Sequence, residues 1–378
     1  MPCGAQPFCR GGRAVRTYLD HNATTPLRVE ARAAMIAAMD LPGNPSSVHA
    51  EGRAAKAVVE RARAQVAGLV GCDPVDVIFT SGATEAAALA ASLGARVVTS
   101  AVEHDAVLSW GQAGRLGVDA QGIWDGNLSP AEGADLVSLQ AANSETGVLQ
   151  QTMPLAQHCW AMEKSPFVLV DAVQALGKTS FRMATSGADF ILVSAHKLGG
   201  PKGVGALIVK RGIDVAAQLR GGGQEMGRRS GTENIPGIAG FGAAAEAAAA
   251  DVAAGRWKEV AELRDLLEAT LADASKLTIF VGKDAPRLPN TSCIVTPGWK
   301  GETQVMQMDL AGFAISAGSA CSSGKVRASA VLRAMGFDET QAASAIRVSL
   351  GLQTTREDIL RFATSWTAKM KKHETRAA

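Results

Sequence analysis

Aromatic residues are scarce in this sequence of 378 residues, at 4% with a single tyrosine. Cysteine is scarce as well, with six residues at positions 3, 9, 72, 159, 293 and 321. None forms a CxxC pair, which excludes a disulfide scaffold and a paired-cysteine zinc site. A reducing cytoplasm is the simplest setting for such thiols. The six histidines are scattered without an HExxH pattern, so no metal centre is expected. Charge of one sign is also missing: 38 basic and 36 acidic residues leave a net charge of +2. No basic tract interleaves with aromatics, which removes support for a nucleic-acid or polybasic membrane role. No apolar run approaches the roughly 18 residues of a transmembrane helix. Residues 1–16 lack the apolar core of a signal peptide and read as a disordered extension.

What is present is globular. Hydrophobic residues make up 47% and charged residues 20%, enough to bury a large core. The length exceeds one ordinary domain of about 100–200 residues, so two packed units are expected. Helical patterns cover about 27–40 and 49–70, separated by the turn chemistry of LPGNPSS. Apolar runs then alternate with helices or turns: VIFT (77–80), ARVVTS (95–100), LVSLQ (136–140), FVLVD (167–171), DFILVS (189–194) and GALIVK (205–210). Strands apolar on both faces and separated by helices predict an α/β unit whose largely parallel sheet is covered on both sides. The Ala-rich stretch 236–276 reads as one or two long helices leading into a smaller α+β unit, with strands in LTIFV, TSCIV, FAISAG and AIRVSL. The expected division is a large domain over 17–250, its segment near 17–30 packing toward the small domain, and a small domain over 251–378.

Several segments carry chemistry. In VSAHKLGGPKGVGAL a strand ends in Ser194, Ala195, His196 and Lys197 before a Gly/Pro-rich turn. A lysine there faces the crevice where α/β sheets bind ligands and can hold an aldehyde as a Schiff base; a solvated lysine is the plain alternative. FVLVDAVQALGK places Asp171 at the end of another apolar run, with Gln174 one helical turn on. A buried carboxylate needs a cation, and the protonated ring nitrogen of pyridoxal phosphate is one; an Asp capping a helix is the alternative. FTSGATEAAAL is a strand, a small-residue turn and a helix, with Ala83 and Thr84 where a phosphate would meet helix N–H groups. His104 follows a strand and could stack on a ring and move protons, or be structural.

AISAGSACSSGKVRAS sets Cys321 in a Gly/Ser/Ala loop with few large side chains to pin it. Such a loop can move, and Lys325 and Arg327 nearby favour the thiolate. Arg347 lies in the apolar strand AIRVSLG and needs an anion, either a substrate carboxylate or a structural partner. Arg228, Arg229, Ser230 and Thr232, in the glycine-rich stretch 219–237, are phosphate-capable. Neither GGGQEMG nor GGPKG has the register of a dinucleotide or P-loop fingerprint.

From Thr17 to Leu360 the chain resembles the cysteine desulfurases of the NifS/IscS type, in the class V aminotransferase branch of fold-type-I pyridoxal-phosphate enzymes. Eleven segments carry the resemblance in one order: YLDHNATT, GNPSS, FTSGATE, TSAVEH, NSETG, VDAVQALGK, SAHKLGGPKGVGAL, GGGQEMGRRSGTEN, PNTS, SAGSACSSG and IRVSLG. The resemblance implies fold type I, with a mostly parallel sheet of the seven-stranded type covered by helices. It implies pyridoxal 5'-phosphate as cofactor and conversion of L-cysteine to L-alanine, with sulfur passing to an enzyme cysteine as persulfide. An acceptor for iron–sulfur or other thiocofactor synthesis would then take the sulfur.

By the same resemblance, Lys197 is the Schiff-base lysine, Asp171 pairs with the pyridinium and Gln174 meets the phenolate oxygen. His104 stacks on the ring, and Thr84, Ser194 and His196 hold the phosphate. Thr232 serves the neighbouring subunit's phosphate site, which implies a homodimer. Asn44 and Arg347 bind the substrate carboxylate, and Cys321 is the nucleophile on a longer mobile loop. A selenocysteine lyase or another class V aminotransferase is the runner-up, and transamination would need no thiol at 321. One departure stands out: the family's NNETG reads Asn143-Ser144-Glu145 here, so its cofactor contact falls to Ser144 or Asn143. The stretch 104–135 is also shorter than is usual for the family.

Overall fold

The computed structural model describes residues 16–318 and 328–377. Thirteen strands are present among them: β1 (Thr17–Tyr18), β2 (Val77–Thr80), β3 (Val97–Ser100), β4 (Gly114–Leu116), β5 (Leu136–Ser138), β6 (Phe167–Asp171), β7 (Phe190–Ser194), β8 (Gly205–Val209), β9 (Ile279–Phe280), β10 (Thr291–Val295), β11 (Phe313–Ala314), β12 (Ser316–Ala317) and β13 (Ala345–Ser349).

Seven strands form one sheet in the order β2-β8-β7-β6-β5-β3-β4. Only β8 runs antiparallel to its neighbours. Val77–Thr80, Leu136–Ser138, Phe190–Ser194 and Gly205–Val209 are buried along their whole length, because both faces of the sheet are covered. The mostly parallel, helix-covered sheet read from the sequence is therefore the observed one. Edge strand β4 escapes that reading, since three residues beginning with glycine carry no apolar pattern.

The expected early helices are Val29–Met39 and Ala50–Val70, the second capped by the His49 ring and ended at Gly71 in the left-handed conformation. The Ala-rich stretch divides into Ile235–Ala253 and Trp257–Ala274. The first packs on both early helices. Small residues permit the close approach: a Cβ on Gly242 would lie 2.5 Å from Ala62 Cα.

The second sheet, β12-β13-β10-β9, is antiparallel throughout. Its core gathers Trp299, Trp366, Phe313 and Phe362 with Leu19 from the N-terminal segment. That segment reaches it directly, since β1 pairs in parallel with β11 and Asp20 bridges Ser349.

Candidate active site

Parallel strands place all their carboxyl ends on one edge, and ligands bind there. In this sheet that edge gathers Ser81–Thr84 after β2, His104 after β3, Gln140 to Ser144 after β5, Asp171 and Gln174 at β6, and Ser194 to Lys197 at β7. These segments, with Ala23 and Thr24, wall a cavity of about 530 Å³. The chain thus brings together Ala83, Thr84, His104, Ser144, Asp171, Gln174, Ser194, His196 and Lys197, which the sequence scatters over more than a hundred positions.

Asp171 is buried, and among the described residues its Oδ1 accepts only the N–H of Val173, at 2.9 Å. Among the described residues no cationic side chain is ion-paired with it. Burial raises its pKa, while the Val173 N–H, His104 and Lys197 draw it down. Behind it Glu103 is fully enclosed; Ser138 donates to one oxygen at 2.8 Å and the other has no partner among the described residues. Burial, then the charge of Asp171, push Glu103 up to about 8, so it is neutral when Asp171 ionises.

Lys197 Nζ donates to the carbonyls of Asn22 (2.7 Å) and Ala23 (2.9 Å). The Asn22 carbonyl also accepts Gln174 Nε2 at 2.9 Å. Gln174 Oε1 accepts the amine of buried Lys178 at 2.7 Å, and that amine reaches Asn22 Oδ1 at 3.1 Å. Asn22 Nδ2 in turn donates to the Ser144 carbonyl (3.2 Å) and to Thr291 Oγ1 (2.8 Å). Asn22 therefore ties the site to the small sheet. Sequence reasoning misses it and Lys178; each lies inside a quoted segment, but only long-range contacts give it a role.

His104 caps the short helix Asp105–Leu108, its Nδ1 accepting the Ala106 N–H at 3.1 Å. The neutral ring therefore carries its proton on Nε2. Also in the cavity wall, Gly82 precedes the helix Ala83–Ala91, and a Cβ built on it meets nothing within 4 Å. Backbone N–H groups at that helix start are open to an anion. His196 lines the cavity as well, its Nδ1 3.2 Å from Thr24 Oγ1. Burial, Lys197 and Lys202 lower its pKa to about 4, so it is neutral at physiological pH. Lys202, which also lines the cavity, is a further cation here that the sequence pattern does not single out.

The remaining expected residues lie elsewhere. Asn143 is buried but turned away: Nδ2 donates to Val102, and Oδ1 accepts the N–H groups of Glu145 and Thr146. Ser144, not Asn143, lines the cavity. Arg347 is buried behind Ser144, its Nη2 2.8 Å from Asp20 Oδ1 and its Nη1 donating to the Ser144 carbonyl. Its Nε has no partner among the described residues. Asn44 is exposed and accepts the Ser46 N–H. Thr232 is exposed and outside the cavity wall of the single chain. Arg229 pairs with Glu85 and Arg228 holds the carbonyls of Glu225 and Val75, so neither faces the cavity. Cys321, with Lys325 and Arg327, lies outside the described residues.

A ligand that fits this wall has a cationic ring nitrogen for Asp171, an aldehyde for Lys197 and an anionic group for the helix start after Gly82. Pyridoxal phosphate has all three, and the class of protein defined is a fold-type-I pyridoxal-phosphate enzyme. The chain belongs to the aminotransferase class-V family, whose model matches residues 17–362. It is 43% identical to a cysteine desulfurase of Cereibacter sphaeroides over 367 residues, covering 91% of this chain and 93% of that one. Among solved structures it is similar to a NifS-like protein from Rickettsia africae, with a TM-score of 0.86, 31% identity and coverage of 94% and 99%. It is also similar to SspA in complex with cysteine, with a TM-score of 0.74, 26% identity and coverage of 90% and 100%.

Proposed function

We propose that the protein is a cysteine desulfurase that converts L-cysteine to L-alanine and passes the sulfur to its own Cys321. The observation that carries this reading is the buried Asp171 carboxylate facing Lys197 across one cavity, with no ion-paired cation among the described residues. Likeness to named cysteine desulfurases at about 40% identity over nine-tenths of the chain supports the choice of reaction.

Asp171, Gln174, His104 and Ser144 would hold the cofactor ring, and Thr84, Ser194 and His196 its phosphate. Bound there, the cofactor supplies an electron sink that stabilises negative charge at the substrate's Cα. The chain's own residues do the rest. Asp171 would face the ring nitrogen, and Glu103, pushed up to about 8 by its burial and by Asp171, would stay protonated beside it. Lys197 Nζ, held by two carbonyls, takes the Cα proton of L-cysteine. His104, with its proton on Nε2, is the second proton-carrying group at the cavity. Arg347 supplies positive charge for the substrate carboxylate from behind Ser144, with Asp20 orienting its guanidinium.

The sulfur step belongs to Cys321. Its thiolate attacks the substrate sulfur, the carbon–sulfur bond breaks, and a persulfide forms on the enzyme while the carbon fragment leaves as alanine. The three described cysteines are unsuited to this, because burial raises the thiols of Cys72 (to about 12), Cys159 (to about 11) and Cys293. The same reading gives Thr232 to the phosphate site of a partner subunit in a homodimer, and Asn44 to the substrate carboxylate. It divides the chain near 250 into a large cofactor domain and a small domain, places it in the cytoplasm, where thiols stay reduced, and expects an acceptor protein for the persulfide.

The experiment is a parallel assay of sulfide and alanine from L-cysteine and L-selenocysteine. Wild type should release both products from L-cysteine. Cys321→Ala should keep the cofactor's absorbance yet release neither. Alanine formation at the normal rate by that variant contradicts the persulfide assignment, and activity confined to L-selenocysteine replaces the desulfurase reading with a lyase.

A further inference from the structure

Lys178 is a second buried amine beside the site, and the chemistry above gives it no task. It lies one turn beyond Gln174, is 5% exposed, and forms no ion pair among the described residues. Its two contacts are amide oxygens, Gln174 Oε1 at 2.7 Å and Asn22 Oδ1 at 3.1 Å. No third acceptor for this amine stands among the described residues. Burial first, then Lys197 and Arg347, lower its pKa well below the ordinary lysine value. His21, the other titratable group facing it, is held neutral by its own burial and by Lys178. No carboxylate among the described residues offsets these cations at Lys178.

The geometry fixes one thing about Gln174. Gln174 meets Lys178 through one end of its amide and the Asn22 backbone carbonyl through the other, so fixing either end fixes both. A carbonyl can only accept, so the atom facing the Asn22 carbonyl is the amide nitrogen. Gln174 also lines the cavity, so its second N–H remains for a ligand there. We propose that Lys178 is a positioning residue: through Gln174 Oε1 it holds the amide N–H toward the phenolate oxygen of the bound cofactor. This rests on the cofactor reading given above. A lysine replaced by an apolar chain leaves Oε1 without its donor, and the amide turns to seek another one in the cavity.

The consequence is spectroscopic. An N–H donor beside the phenolate favours the deprotonated cofactor–lysine linkage, because its positive end opposes the extra proton. Losing that donor raises the pH at which the visible absorbance of the loaded enzyme titrates. The test is that titration in Lys178→Met, Lys178→Gln, Gln174→Leu and the double variant Lys178→Met/Gln174→Leu, with thermal unfolding followed in parallel. Lys178→Met and Gln174→Leu should each raise the midpoint by about 0.5–1 unit, the size of one ordinary hydrogen bond. The double variant should rise no further than Gln174→Leu, and Lys178→Gln, which keeps a donor, should rise less than Lys178→Met.

A lowered melting temperature with an unmoved midpoint in Lys178→Met, while Gln174→Leu moves it, makes Lys178 merely structural and overturns the proposal. Additive shifts in the double variant overturn it too. An unmoved midpoint in Gln174→Leu overturns the placement of the cofactor against Gln174 instead. Should Lys178→Met fail to fold, Lys178→Gln against wild type decides by the same sign.

Discussion

Arg63 and Glu225 are buried together beside β2, and Asp171, Glu103 and Lys178 are buried at the ends of the strands a short way across the same sheet. The first pair is closed: two parallel bonds of 2.7 and 2.9 Å join the guanidinium to the carboxylate. The Phe79 N–H donates to Glu225, Arg63 donates to the Val77 carbonyl, and the guanidinium lies over the Phe79 ring. Burial works against the Arg63 charge, but Glu225 more than restores it and holds the pKa above the ordinary value. The second group is open. Among the described residues Asp171 has no ion-paired cation, one oxygen of Glu103 has no partner, and Lys178 has only amide oxygens. Charges matched within the chain mark structure, whereas charges left unmatched beside a cavity mark a place for a ligand.

Variants break this comparison in order of effect. Lys197→Ala should lower turnover of L-cysteine by at least about a thousandfold, because the group proposed to link the cofactor and move the proton is gone. Steady-state alanine release measures this, and near-normal turnover rules out the assigned role.

Glu225→Gln should lower the unfolding free energy by about 3–5 kcal/mol, since it strands a buried guanidinium. Denaturant unfolding reads it, and activity per folded molecule should stay near wild type. A loss under ~1 kcal/mol, the size of an exposed pair, would mean that the pair is not closed as described.

Asp171→Asn should do the reverse. Turnover should fall about a hundredfold, because a neutral amide no longer stabilises a protonated ring nitrogen. The cofactor-free protein, relieved of an uncompensated buried carboxylate, should be at least as stable as wild type.

The smallest effect is in pH dependence. Glu103 has a folded value of about 8 against an ordinary 4.5, so the folded state holds a proton that the unfolded state gives up. Its contribution is complete below pH 4.5 and is lost as pH rises toward 8. His196 acts oppositely. Its folded value of about 4 against 6.5 means that its contribution is present above pH 6.5 and is lost as pH falls through 4. Glu103→Gln should flatten the alkaline side of the stability profile of the cofactor-free protein, and an unchanged slope between about pH 5 and 8 would count against its buried, protonated state.

Much of this site is legible in the order of the amino acids. Strands apolar on both faces end in Thr80, Asp171 and Ser194, and a parallel sheet puts those ends on one edge. Lys197, Asp171 and His104 are therefore readable as a set. Other features are not. Asn22 is an ordinary loop residue until it meets Gln174, Lys178, Lys197 and Thr291, the last 269 positions away. Glu103 looks like any glutamate next to a histidine, and only its enclosure makes it an acid. Arg347 needs an anion by its place in an apolar strand, and within the chain that anion is Asp20. β4 is invisible because three edge residues have no period to detect.

The most direct test of the contrast between closed and open charge is thermal unfolding of wild type and Asp171→Asn, each with and without saturating pyridoxal phosphate. A ligand that binds only the folded state raises the melting temperature in proportion to its affinity. The account predicts that Asp171→Asn melts at or above wild type without cofactor and gains markedly less when cofactor is added. A variant that melts well below wild type without cofactor and gains as much on adding it would contradict the account, because Asp171 would then be a structural residue like Glu225.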